Sequence, residues 1–230
     1  MASRRKENSS NTKGKIVVSK DGPYLVSGAI PLAEQIICLD PDGQCHGWRE
    51  GKKYPVQENY SLCRCGHSKN MPYCDGTHVD IQFDGTETAT RELYMEQANV
   101  TTGASLTLTD AQDFCASARF CHRAIGIWEL TEQSADPAAR QTAIEEAGDC
   151  PSGRLVVWYK NGKPIEPEFE PSIAVIVDSQ AGIRSPLWVR GGILIESADG
   201  TPYEVRNRVT LCNCGKSANK PFCDSSHLGG

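Results

Sequence analysis

Eight cysteine and histidine residues of this chain fall into two copies of one spacing. Each copy reads Cys-x-Cys-x8-Cys-x3-His and offers three thiols and one imidazole to a metal. The second copy lies 149 positions after the first at every one of these residues. The eight candidate ligands are Cys63, Cys65, Cys74, His78, Cys212, Cys214, Cys223 and His227. The repeated spacing predicts two metal centres of the same kind.

The four donors of each copy fit two kinds of metal centre. Three thiolates and one imidazole suit a tetrahedral zinc ion or an iron–sulfur cluster equally well in ligand count. Structural zinc sites commonly separate paired cysteines by about two to four residues, whereas Cys-x-Cys is a tight pair for one ion. In a two-iron cluster, one iron takes the cysteine pair and the other takes the remaining cysteine and the histidine. The spacing favours iron–sulfur and leaves zinc as the alternative.

The sequences of the two copies resemble a known motif. Residues 63–78 read CRCGHSKNMPYCDGTH, and residues 212–227 read CNCGKSANKPFCDSSH. Both are similar to the CDGSH iron–sulfur motif of the mitoNEET family. The resemblance implies a 2Fe–2S cluster in each copy, held by its three cysteines and its histidine, and strands shared between two motif units. The second copy departs from the family at Ser225, where the family has glycine, and we still expect a cluster there.

The residues that flank the ligands repeat as well, which indicates a duplicated structural unit. Residues 54–62 and 203–211 alternate apolar and polar side chains, as half-buried strands do. Residues 23–30 resemble residues 186–193 at an offset of 163, so the first copy carries 14 extra residues. With the resemblance, this predicts a β-rich α+β fold in which the two CDGSH units form an intrachain pseudo-dimer with a β-cap. The predicted divisions are a disordered tail at 1–14, the first unit at 15–78, an inserted α+β domain at 79–184 and the second unit at 185–230.

The middle segment has both helical and strand patterns. A capping-box pattern that begins at Thr109 predicts a helix over 109–122, and a second helix is predicted over 132–148. Strands are predicted at 155–159 and 173–177, with a tight turn at 159–163.

Three further cysteines, Cys115, Cys121 and Cys150, lie in this segment. On a helix, Cys115 and Cys121 would point about 240° apart, which favours packing over a third metal centre. The sequence Cys150-Pro is similar to the last cysteine of bacterial ferredoxins and is the one feature that favours such a centre. Cys38, Cys45 and His46 lie near the 14-residue insertion, and we interpret them as incidental.

The residues between the ligands differ in charge between the copies. The first copy has Arg64, His67 and Lys69, and the second has Asn213, Lys216 and Lys220. Because nearby cations stabilise a reduced, more negative centre, we expect two distinguishable reduction potentials.

The composition limits the classes of function. A net charge of −5, from 24 basic and 29 acidic residues, argues against a nucleic-acid partner. No apolar run approaches the ~20 residues of a membrane span, and no apolar segment follows the charged start as in a secretory signal. The 11 cysteines therefore indicate metal chemistry in a reducing compartment, and we expect a cytoplasmic protein without a membrane partner.

One imidazole in place of a thiolate raises the reduction potential of such a centre and makes it sensitive to acid. We expect electron transfer, cluster storage and transfer, or both, with a redox partner protein or an apo acceptor. We also expect a monomer with internal pseudo-two-fold symmetry. Two alternatives remain: a zinc-stapled protein-interaction module, and an enzyme whose middle domain uses the clusters as electron relays. No catalytic residue set or Gly-rich phosphate loop is evident, which favours a carrier over an enzyme.

Overall fold

The computed structural model describes residues 14–229, so the predicted tail at 1–14 lies outside the described residues except for Gly14. The strands are β1 (Lys15–Val18), β2 (Tyr24–Ser27), β3 (Leu32–Leu39), β4 (Cys45–Lys53), β5 (Asn59–Leu62), β6 (Asn99–Thr102), β7 (Leu106–Asp110), β8 (Leu155–Tyr159), β9 (Pro164–Ile165), β10 (Ser172–Asp178), β11 (Ile183–Arg190), β12 (Leu194–Glu196) and β13 (Arg208–Leu211). The helices are α1 (Thr77–Asp80), α2 (Tyr94–Gln97), α3 (Ile127–Glu132) and α4 (Pro137–Asp149). Strand content of 32% against 17% helix confirms a β-rich mixed fold.

Two sheets carry the repeated units, and each sheet contains strands from both halves of the chain. The first sheet has the order β12-β1-β2-β5, and the second has the order β13-β11-β10-β3-β4. β1 runs parallel to β12, and β10 runs parallel to β3. The second half therefore places β12 in the first sheet, and the first half places β3 and β4 in the second sheet. One apolar core joins the two sheets and includes Leu62 and Leu211, the residues that precede the first cysteine of each motif.

The extra residues of the first unit form the long β3–β4 hairpin. The strand that corresponds to β3 in the second unit, β12, has only three residues against eight. Cys45 is 4% exposed and packs with Ile37 and Trp188, whereas His46 is exposed. Neighbouring residues of a strand point to opposite faces, so Cys45 and His46 share no site.

The middle segment builds a third sheet of its own. Strands β6-β7-β8-β9 lie side by side, and α3 and α4 cover them. Helix α4 begins where its caps require: Asp136 accepts a hydrogen bond from the backbone N–H of Ala139 at 2.9 Å, and Pro137 occupies the first turn. The boundary predicted at residue 184 stays a prediction, but β10 pairs with β3 and so belongs to the second sheet rather than to the third.

The prediction of a helix over residues 109–122 is wrong. Residues Leu106–Asp110 form β7, and only two short 3-10 turns follow, at Gln112–Phe114 and Phe120–His122. Ser117 and Arg119 have φ angles of 50° and 64°, which a continuous right-handed helix does not allow. The loop at 115–121 therefore has no helical faces.

Between residues 14 and 229, no helix is long and apolar enough to cross a membrane.

Candidate metal centres

The first ligand set is built at the end of β5. The backbone N–H of Cys63 donates to the carbonyl of Pro72 at 2.8 Å, and that of Cys74 donates to the carbonyl of Ser61 at 2.9 Å. These two bonds fold the 63–74 loop back on itself and bring its two ends together. The Sγ atoms of Cys63 and Cys65 lie 3.7 Å apart. The Sγ of Cys74 lies 3.3 Å from Nδ1 of His78.

The second ligand set repeats this geometry at the end of β13. Cys212 donates to the carbonyl of Pro221 at 2.8 Å, and Cys223 donates to the carbonyl of Thr210 at 2.9 Å. The Sγ atoms of Cys212 and Cys214 are 3.5 Å apart, and Cys223 Sγ is 3.4 Å from His227 Nδ1. The two motifs therefore build the same site twice, with four donors arranged as two pairs.

The spacing within each pair fits one tetrahedral metal ion. Two thiolates at about 2.3 Å from such an ion lie about 3.8 Å apart, and a thiolate and an imidazole lie about 3.6 Å apart. Within residues 14–229, no three His, Cys, Asp or Glu side chains converge closely enough to hold a single ion. Two separate pairs therefore suit two metal atoms in each unit better than one.

Cys74 and His78, although four residues apart, do not share one helical turn. Cys74 precedes α1, and Gly76 at the start of α1 has a φ of 92°. The carboxylate of Asp75 closes the loop by accepting from Thr77 and from the backbone N–H of Lys69. These hydrogen bonds lower the pKa of Asp75 to about 2, so the carboxylate stays charged and keeps the loop closed.

The ligand loops of the two units meet each other reciprocally. A Cβ added to Gly66 would lie 2.5 Å from the carbonyl oxygen of Cys214, and one added to Gly215 would lie 2.5 Å from that of Cys65. Both glycines have positive φ angles, 80° and 79°. Tyr24 of the first unit also donates its hydroxyl to the carbonyl of Cys212 at 2.7 Å. Each loop is thus held partly by the other unit.

The surroundings of the two centres differ. His78 borders a wide, open cavity of about 560 Å³ that Lys20, Asp21 and Asp84 also line. In the second unit, Cys223 is only 2% exposed, and burial raises its pKa. Burial likewise lowers the pKa of His227. The two sets therefore differ in which donors are buried, although each has two buried and two half-buried donors.

Arg64 is buried and hydrogen-bonded to backbone carbonyls, so it is not an exposed cation beside the ligands. It is 1% exposed and donates to the carbonyls of Ser19 and Gly85, while its guanidinium lies over the rings of Tyr24 and Phe83. The expected difference between two reduction potentials stays a prediction.

The three cysteines for which the sequence argument favoured packing line one cavity in the middle segment. Cys115, Cys121 and Cys150 border an internal space of about 110 Å³ together with His122 and Arg154. The cavity exists because the 115–121 loop is not a helix. Cys115 and Cys121 can therefore face the same space.

The thiols of this cavity differ in acidity. Burial opposes ionisation of Cys115, but a hydrogen bond from the backbone of Ser117 and the charge of Arg154 outweigh it, so its pKa is lowered. Burial raises the pKa of Cys121 to about 12. Arg154 is itself fixed by Asp110 at 2.6 Å. The guanidinium of Arg154 therefore lies beside a cavity that would become negatively charged if its cysteines bound a metal as thiolates.

Comparison with known families agrees with this geometry. The family described as iron-binding zinc finger, CDGSH type, matches residues 21–79 and 184–228. The chain carries two CDGSH regions in tandem. In the middle segment of the tandem CDGSH protein, the family described as divergent 4Fe–4S mono-cluster matches residues 101–160, the range that contains the three cavity cysteines. Together the matches identify an iron–sulfur binding protein. No curated protein matches the chain significantly.

The cavity could have been found from sequence by the spacing Cys-x5-Cys followed by Cys150-Pro. The predicted helix prevented that interpretation because it placed Cys115 and Cys121 on diverging faces. The preference for packing at these cysteines rested on that helix, which the loop between the two 3-10 turns replaces.

Proposed function

We propose that the tandem CDGSH protein holds a 2Fe–2S cluster in each CDGSH unit and carries electrons. The observation that carries this proposal is the paired ligand geometry. Sulfur–sulfur distances of 3.7 and 3.5 Å and sulfur–nitrogen distances of 3.3 and 3.4 Å suit one iron for each pair. The proposed ligands are the eight cysteine and histidine residues of the two motifs. Mononuclear zinc would instead require all four donors of a unit to converge on one point.

The two units, on this proposal, form an intrachain pseudo-dimer, and the protein is a monomer. The exchange of β12 and β3 between the sheets supports the arrangement, because a separate unit would leave β1 or β10 without its parallel neighbour. The reciprocal approach of Gly66 and Gly215 to the opposite ligand loops supports it as well.

A third iron–sulfur centre, of the 4Fe–4S type, is proposed for the middle cavity. Cys115, Cys121 and Cys150 would supply thiolates to three of its irons, and Arg154 would offset part of its negative charge. The support is the coincidence of two independent observations: the three thiols line one cavity, and the 4Fe–4S family matches this range of the chain.

The residues around the clusters assign different tasks to the two CDGSH units. A bound 2Fe–2S cluster supplies a one-electron couple. His78, beside an open cavity, is where a redox partner protein or an apo acceptor would approach. Cys223 is buried, and its loop contacts the middle segment through Asn219 and Ser225. Exchange with partners is therefore proposed at the first unit.

Transfer of whole clusters is the second candidate function, and the exposure of the first unit favours it. Cys74 is half-buried where Cys223 is buried, so an acceptor thiol reaches one iron of the first centre more readily. Because a histidine must be deprotonated to bind a metal, acid would weaken the hold of this pair on an iron.

The experiment is iron and sulfide analysis with visible and electron paramagnetic resonance spectra of anaerobically purified protein. We expect about eight irons per chain, from two 2Fe–2S clusters and one 4Fe–4S cluster. The variants Cys74→Ser and Cys223→Ser should each remove one 2Fe–2S signal, and Cys38→Ser is the control because it lies in neither motif. A colourless protein with two zinc ions would contradict the proposal.

A further inference from the structure

The position after Asp224 distinguishes the second motif from the first. The equivalent position in the first unit is Gly76, which follows Asp75. Gly76 has a φ of 92°, and a Cβ added to it would have no atom within 4 Å. The second unit has Ser225, which keeps the left-handed backbone with a φ of 76°. A side chain is strained in this conformation, so its presence calls for a compensating interaction.

The side chain of Ser225 has contacts that supply this compensation. Its hydroxyl donates to the carbonyl of Cys115 at 2.6 Å and accepts from the hydroxyl of Ser117 at 2.7 Å. Its backbone N–H donates to Sγ of Cys223 at 3.5 Å. One residue therefore contacts a ligand of the second centre and, at the same time, the backbone of a cysteine that lines the middle cavity.

Ser117, the hydrogen-bond partner of Ser225, also contacts Cys115. Sγ of Cys115 lies 4.0 Å from the hydroxyl of Ser117, which itself donates to Ser225. Ser225 thus connects the carbonyl of Cys115, through its hydroxyl, with Sγ of Cys223, through its backbone N–H.

We propose that Ser225 is a positioning residue that connects the second CDGSH centre to the middle iron–sulfur centre for intramolecular electron transfer. In this step one electron leaves one centre, which is oxidised, and enters the other, which is reduced, and no atom moves. The inference rests on the proposed function, since it requires clusters at both sites. The meeting of the two ligand loops at Gly66 and Gly215 continues the route to the first centre, where partners approach.

The test is the variant Ser225→Gly in the full holoprotein. Glycine suits the positive φ and keeps the N–H bond to Cys223, so the second cluster should remain bound. Only the hydroxyl contacts to Cys115 and Ser117 are lost. After pulsed reduction, the rate of electron equilibration between the middle centre and the second centre should fall below that of the unmodified protein.

A matched control separates this connection from a simple structural contact. Asn219 joins the same surfaces by donating its side-chain amide to the carbonyl of Asp113 at 2.9 Å, without contacting Cys223. Asn219→Ala should leave the rate unchanged. Equal slowing in Ser225→Gly and Asn219→Ala would show only a structural contact and overturn the inference.

The readouts distinguish failure of the inference from failure of the proposed function. Iron and sulfide counts of the unmodified protein report whether the middle centre exists, and its absence overturns both. A full complement of clusters with an unchanged rate in Ser225→Gly overturns the inference alone. Magnetic interaction between the two reduced centres, weakened in Ser225→Gly but not in Asn219→Ala, would support it independently of any rate.

Discussion

Glu146 offers a quantitative test of the middle segment. Its side chain is fully buried on α4, and within the described residues neither carboxylate oxygen has a hydrogen-bond partner. Burial raises its pKa from 4.5 to about 8, and the charge of Arg123 offsets only part of that effect. The folded protein therefore keeps the proton that the unfolded chain releases above pH 4.5. The variant Glu146→Gln replaces this carboxyl group with a neutral group of similar size.

The sign of the effect follows from the raised pKa. Since the folded state binds the proton more tightly, the wild type loses stability as pH rises from about 4.5 to about 8. One pKa unit corresponds to about 1.4 kcal/mol, so the loss reaches at most about 5 kcal/mol above pH 8. Glu146→Gln avoids this loss. Its free energy of unfolding should equal that of the wild type near pH 5 and exceed it near pH 9.

The assay is urea unfolding of the holoprotein, followed by circular dichroism at pH 5, 7 and 9. Glu145→Gln is the control, because Glu145 is exposed on the same helix and bonds only Gln141. Its effect on the free energy of unfolding should stay within about 0.5 kcal/mol at every pH. Stability profiles of Glu146→Gln and wild type that run parallel from pH 5 to pH 9 would refute the reasoning.

Three further predictions concern the centres. Because burial lowers the pKa of His227, the absorbance of the second centre should survive to a pH below the usual histidine range, as acid titration of Cys74→Ser, which lacks the first cluster, would report. Bleaching of that variant within the usual histidine range would contradict the assignment. Gly66→Ala should lower the thermal midpoint and the iron content, because its methyl group would collide with the other ligand loop. Gly76→Ala is the control: its φ is also positive, but the space around it is open, so both losses should be smaller. Equal losses in the two variants would argue against the contact between the loops. Cys121→Ala should remove the iron of the middle centre and leave both 2Fe–2S signals, as electron paramagnetic resonance would report.

The two ligand sets were predictable from sequence because their chemistry is local. Four donors within 16 residues, with Asp75 or Asp224 to close the loop, carry their geometry in their spacing. The turn was less predictable. The left-handed conformation of Ser225 is compensated by Cys115 and Ser117, which lie more than 100 positions away, and no local pattern reports such a contact.

The middle cavity was not predictable for the same physical reason. The residues around Thr109 satisfy a capping-box pattern, but Asp110 binds Arg154 and Thr109 binds the carbonyl of Val156, both through the pairing of β7 with β8. Strand pairing with distant residues outweighed local helix preference. Once the helix is absent, Cys115 and Cys121 face one space, and the interpretation of these cysteines changes from packing to metal binding.

An anomalous difference map at the iron absorption edge, from crystals grown anaerobically, tests the central claim most directly. The account predicts two iron peaks in each CDGSH unit, one beside the cysteine pair and one beside the cysteine and histidine, and a further iron cluster among Cys115, Cys121 and Cys150. A single peak in each unit, present at the zinc edge and absent at the iron edge, with nothing in the cavity, would contradict it.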